Sequence, residues 1–469
     1  MKSLKQSGLR QVNASLAEKK PSQPIFKGRK WLRFLFNVSR EYLRRRYKFI
    51  VLGLFIGIIF FYLSPNIFKK IPLVSKPTKI GFVGKFTVDD LPMKVQLKMS
   101  LGLTVTDENG KAVPALVENW TVEDEGKKYL FNLKKDLKWS DGKKFKAEDV
   151  NYNFQDVTLE VINDYQLIFI LNDQFAPFPI AVSKPVFRKG FIGMGEYQVR
   201  KIEFNGEFVK TIFLKSISKG KEDTIIKFYP TEESAKIAIK LGEITHLESI
   251  LDQKGLENFS NLDVSSKIKE DRFVGVFFNS EKPFLEDKLF RQALAYAIEK
   301  EYTLRALGPI SPHSWAYFEE VKPYDYDFQR AETLLADSLG EIEPEEVELT
   351  IMTVSQLLAQ AERIKENWEA LGLKVKIVPF RTGETDFQTL LAIQEIPIDP
   401  DQYNLWHSTS QNNITRLKSP RIDKLLEDGR VTLDENERKM IYFDFQKYIV
   451  EEAPVVFLYY PEVFEVARK

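Results

Sequence analysis

Two polar stretches of this 469-residue chain hold the side chains best suited to chemistry. In DPDQYNLWHS (residues 399–408), Asp399 and Asp401 offer carboxylate acceptors, and Tyr403 and Trp406 offer flat apolar faces. Such a mixture suits a pocket that orients a small ligand with a few polar groups. The competing reading is a turn followed by a core aromatic. In WSDGKKFKAEDVNYNF (residues 139–154), Asp141 sits on a glycine turn, ahead of the adjacent carboxylates Glu148 and Asp149. Asn279 ends the apolar run RFVGVFFN, as either a ligand group or a turn cap.

Catalysis has little to work with. The chain has no cysteine and three separated histidines, His246, His313 and His407. That excludes thiolate nucleophiles, thiolate metal sites, disulfides and a lipidated N-terminal cysteine. No nucleophile elbow or zinc spacing occurs, so no catalytic residue and no metal or other cofactor is assigned. The Asp399/Asp401 pair lacks the rest of a calcium loop. Gly193-x-Gly195 is not a nucleotide loop, because no helical pattern follows and the third glycine is missing.

Charge places the elements around these groups. Residues 1–48 carry 14 Lys/Arg against Glu18 and Glu41, so of the totals of 68 and 67 the remainder holds 54 and 65, a net −11. A basic head on an acidic body fits anionic lipid and argues against nucleic acid. FIVLGLFIGIIFFYL (residues 49–63) follows as an uncharged run with no small-x-small cleavage site after it. It reads as an uncleaved single-pass anchor, with RRRYK placing the N-terminus in the cytoplasm and the rest outside. The expected organisation is a cytoplasmic tail (1–46), a transmembrane helix (47–68) and a linker (69–79), then an extracytoplasmic body.

The body starts β-rich. Asn109-Gly110, Glu125-Gly126 and Asp141-Gly142 mark turns, while Tyr129, Phe131 and Leu133 alternate with polar residues, as do Val150, Tyr152 and Phe154. From about residue 230 helices alternate with strands. EDKLFRQALAYAIEKEY is a helix capped by Asp287, and AERIKENWEALG is a helix stopped by Gly372. The fold class is α/β with mixed sheets.

Several segments, in order, carry a resemblance. PALVENWTVEDEGKKYLFNLKKDLKWSDGKKFKAEDV (114–150), GMGEYQVRKIE, FVGVFFNSEKPFLEDKLFRQALAYAIEKE (273–301), YDFQRAETLLADSL, DPDQYNLWHSTS and SPRIDKLLEDGR resemble the family 5 extracellular solute-binding proteins. These are the oligopeptide-, dipeptide- and nickel-binding components of ABC importers. The resemblance implies a bilobal periplasmic-binding-protein fold of the type II, peptide-binding kind, with no enzymatic activity. A first lobe would span 80–272, with 454–469 returning to it, and a second lobe 273–453. A peptide or other small solute would sit between the lobes, close to Asp399, Asp401, Tyr403, Trp406 and Asn279, and the partners would be permease subunits. The alternative is a sensory or structural envelope module that no longer transports.

Two departures stand out. The stretch between Phe154 and Gly193 is short where relatives insert a helical subdomain. Ile396 occupies the position at which peptide-binding relatives carry the Asp that pairs with the ligand's amine, leaving Glu395 as its neighbouring substitute. In relatives a Thr or Ser caps the helix that begins after Lys146. Lysine has no acceptor, so that helix is expected to be short or frayed.

Overall fold

The computed structural model describes residues 33, 36, 40, 41, 44–49, 51–58, 76–381, 383 and 385–469. The chain divides into two compact units, residues 1–75 and 76–469. In the first, the described residues 44–49 and 51–58 are helical. Among the described residues no helix is long and apolar enough to cross a membrane, and residues 50 and 59–68 of the expected 47–68 span lie outside them, as do most of the tail and linker.

The second unit is built on four sheets. A seven-stranded mixed sheet runs, edge to edge, Leu262–Ile268, Glu462–Arg468, His246–Ile250, Thr78–Val83, Thr224–Tyr229, Phe208–Ser216 and Tyr197–Asn205. A four-stranded antiparallel sheet (Val117–Glu123, Lys128–Leu133, Gln166–Leu171, Val157–Asn163) and a two-stranded ribbon (Thr104–Thr106, Ala112–Pro114) complete what we term the first lobe. The second lobe holds a five-stranded mixed sheet in the order Lys374–Pro379, Glu348–Thr353, Thr389–Glu395, Arg272–Phe278, Val455–Tyr459.

Burial follows the alternation in the sequence. Tyr129, Phe131 and Leu133 are all sealed inside, on the face that meets Trp139, Phe169 and Phe178. One large apolar cluster takes residues from Phe273 to Tyr460, and three smaller ones serve the first lobe. Helix Lys288–Ala297 buries Phe290 and Leu294 in the large cluster, and Asp287 Oδ1 caps it by accepting from Leu289 N at 2.9 Å. Helix Leu358–Glu369 adds Ile364 and Trp368.

Two boundaries and one segment differ from expectation. The C-terminal return starts later than residue 454: Val455–Tyr459 still pairs with Arg272–Phe278 in the second lobe, and only Glu462–Arg468 joins the first. The first strand begins at Thr78, inside the expected linker. Residues 151–156 keep the apolar alternation without being a strand, because Asn153 turns the backbone to φ 50°. Tyr152 is fixed instead by its hydroxyl, which donates to Val182 O (2.7 Å) and accepts from Leu103 N (3.1 Å).

Candidate functional site

The helix expected after Lys146 is one 3-10 turn, Ala147–Asp149. Asp149 does the capping that Lys146 cannot: its Oδ2 accepts from Lys146 N (3.0 Å) and from Trp139 Nε1 (3.2 Å). Of the paired carboxylates of 139–154, Asp149 is thus scaffold, while Glu148 is exposed. Gly193 and Gly195 are scaffold too, because a Cβ at either would lie 2.1 Å from Met99 O or 2.5 Å from Lys98 O.

Residues 399–408 lie where the two lobes meet. Asp399 and Asp401 open nested turns, accepting from Asp401 N (2.8 Å) and Tyr403 N (3.1 Å). Their outer oxygens meet two arginines from the helices that follow, Pro420–Val431 and Glu435–Glu452. Arg438 forks onto Asp399 with Nη1 at 3.1 Å and Nη2 at 2.5 Å, and its Nε donates to Gly429 O at 2.7 Å. Burial opposes the Arg438 charge, but the Asp399 carboxylate more than offsets it and holds the guanidinium protonated more firmly than usual. Arg430 Nε bridges both oxygens of Asp401 at 3.1 and 2.9 Å. Here burial wins, raising Asp401 above the ordinary carboxylate value despite Arg430. Arg430 also lies over Tyr403 at 4.0 Å, and Tyr403 stacks on His407 at 4.0 Å.

Two cavities open beside this network, each walled by both lobes. The smaller, about 350 Å³, is lined by Lys111, Trp120 and Tyr129 from the first lobe and Trp315, Glu435 and Arg438 from the second. The larger, about 610 Å³, lies between Phe154, Phe175 and Phe178 on one side and Tyr403 and Arg430 on the other. Either volume suits a small organic ligand. The lobes are tied around them by Lys111 Nζ to Glu435 Oε1 (2.6 Å), Ala176 N to Arg430 O (2.7 Å) and Trp315 N to Asn109 O (3.3 Å). Gly110 is part of that closure, since at φ +79° a Cβ would stand 2.8 Å from Ile398 O across the gap.

Of the sequence-derived candidates, Asp399, Asp401 and Tyr403 come together at this network. Trp406 sits in the second-lobe core, its Nε1 donating to Gln402 Oε1 at 2.8 Å. Asn279 is fully buried; its amide donates to Phe387 O (3.0 Å) and its oxygen accepts from Glu281 N (3.1 Å), which is turn capping. Ile396 is buried and borders a pocket of about 200 Å³ with Asp271 and His313. Glu395 is exposed and paired with Arg272 at 3.3 Å, so it does not replace an aspartate at 396. Arg430, Arg438, Trp120, Trp315, Lys111 and Glu435 escaped the sequence reading. Each is unremarkable locally and gains its role only through partners far along the chain.

This architecture has close parallels. The crystal structure of NikZ from Campylobacter jejuni in complex with Ni(L-His) superimposes with a TM-score of 0.72 at 24% identity, covering 84% of this chain and 94% of that one. AppA from Bacillus subtilis in complex with a nonapeptide gives 0.68 at 21% identity, covering 84% and 94%. By sequence, the oligopeptide-binding protein AppA of Bacillus subtilis is 24% identical over 467 residues (83% of this chain, 85% of that protein). The dipeptide-binding protein of Escherichia coli is 23% identical over 452 residues (76% and 83%). Residues 111–415, well over half of the chain, match the family described as "Bacterial extracellular solute-binding proteins, family 5 Middle". The fold and this match together place the chain in the family 5 bacterial extracellular solute-binding proteins, which bind solutes and are not enzymes.

Proposed function

We propose that this protein captures a peptide or similar small solute in the cleft between its lobes and delivers it to the permease of an ABC importer. The observation that carries this reading is that both cavities at the Asp399–Arg438 and Asp401–Arg430 network are walled by both lobes. A ligand there touches both lobes only when they close, and that differential contact is what shifts an open–closed equilibrium. The names of the relatives, oligopeptide-binding and dipeptide-binding, support a peptide-sized cargo.

In this reading the two Asp–Arg pairs frame the pocket and hold its shape, while Trp120, Trp315 and Tyr403 supply contact surface. Asn279 and Trp406 act from behind as supports. Ile396 is apolar and buried and offers nothing to an ammonium, so an amine-bearing ligand finds its acceptors elsewhere along the cleft. The protein is held at the cell membrane by residues 47–68, N-terminus inside, which fits a chain without a cysteine to carry lipid. Capture is tested by screening the full chain in mild detergent against di- and tripeptide pools, read by thermal shift and tryptophan fluorescence. Saturable stabilisation is expected, weakened by Trp315→Ala. A rigid protein indifferent to every pool would favour a sensory or structural module instead.

A further inference from the structure

The charges facing the cleft are unevenly matched. Around the smaller cavity they cancel: Asp399 has Arg438, and Lys111 has Glu435. Around the larger cavity Arg430 is committed to Asp401, and what remains is acidic. Asp156 and Asp173 line it from the first lobe and Glu427 from the second. Among the described residues neither Asp156 nor Asp173 enters an ion pair, and Glu427 meets only His407 Nε2, at 3.4 Å. Of the nearby lysines, Lys424 holds Asp428 at 2.6 Å, and Lys127, whose ammonium donates only to the neutral Asn172 O at 3.3 Å, is not part of the cavity wall. Between the carboxylates the walls are Phe154, Phe175, Phe178 and Tyr403.

This distribution bears on closure. Carboxylates on opposite lobes repel as the lobes approach, and the repulsion is felt within the screening length of about 8 Å at physiological salt. A cation between them turns that repulsion into attraction, and does so only in the closed form. The aromatic walls add their own affinity for a cation through the negative faces of the rings, and apolar area for whatever carries the charge.

We propose that the larger cavity selects solutes bearing a positively charged group on an apolar body, with Asp156, Asp173 and Glu427 as the residues that set this preference. The inference rests on the cleft being the capture site. It names the chemistry of the cargo, a cationic and partly apolar peptide or amine, and it assigns the first-lobe hairpin ends a part in coupling binding to closure.

The test uses the full chain in mild detergent and three tripeptides of similar size, Ala-Phe-Lys, Ala-Phe-Gln and Ala-Phe-Glu, titrated by calorimetry. The lysine peptide is expected to bind about tenfold more tightly than the glutamine peptide, with the glutamate peptide weakest. The double variant Asp156→Asn/Asp173→Asn is expected to flatten that order, weakening the lysine peptide most. Equal affinities for all three in the unaltered protein would overturn the charge preference and leave solute capture standing. Failure of all three to bind would remove the peptide reading and this inference with it. A second measurement needs no ligand: in low salt the double variant is expected to be more compact than the parent by small-angle scattering. An identical profile contradicts repulsion across the cleft.

Discussion

Arg438 and Asp399 stand 39 positions apart in sequence and meet as a two-pronged pair that is almost fully removed from water. Breaking such a pair from one side leaves an uncompensated buried charge, so Arg438→Met is expected to cost about 3–5 kcal/mol in urea denaturation. Arg438→Lys should recover little, because an ammonium cannot reproduce the fork. Lys300 offers a pH-dependent counterpart. Its Nζ donates to Ala295 O (2.6 Å), Ile298 O (3.0 Å) and Tyr324 O (2.7 Å), and burial pushes its pKa down to about 7. The unfolded lysine titrates near 10.4, so between pH 7 and 10 the unfolded chain binds more protons and stability rises with pH. Relative to Lys300→Met, the parent protein is therefore expected to gain stability across that window in denaturation series at pH 7, 8 and 9. A constant difference would contradict the assignment. At this scale the sequence disclosed the acceptors and aromatics of 399–408 by type alone. It could not disclose that two arginines occupy those acceptors, since that pairing exists only after two helices fold back.

Among the elements, local patterns were the legible part. The alternation of Tyr129, Phe131 and Leu133 and the Asp287 cap follow from periods and residue types that act within a few positions. The weak turn after Lys146 was also readable, because a side chain without an acceptor cannot cap. Its rescue by Asp149 was half-readable, as first-turn acids were evident but the reach to Trp139 Nε1 was not. Asp149→Ala removes both hydrogen bonds and is expected to lower stability by about 1–2 kcal/mol in thermal melts while leaving solute affinity intact. Harder to foresee was the 151–156 segment. Alternation there predicts a strand, but the positive φ at Asn153 and the Tyr152 hydroxyl bonds hold a non-ladder path. Likewise the chain crosses lobes only after Tyr459, a choice made by sheet pairing rather than by any local signal.

For the molecule as a whole, the order of family segments made the architecture legible, while the cleft's charge balance emerged only from three dimensions. Tethering by residues 47–68 has its own test. A tagged protein is expected to stay with membranes through high salt and alkaline carbonate and to leave only with detergent; release by salt alone contradicts an anchor. Capture of a solute between the lobes is tested most directly by native mass spectrometry of the full chain, purified in mild detergent from its own membranes. A saturable adduct of a few hundred daltons is expected, as cavities of about 350 and 610 Å³ admit a ligand of that size. It should diminish in Trp315→Ala and in Asp156→Asn/Asp173→Asn. A protein that carries only its own mass, and acquires none from peptide pools, would contradict solute capture.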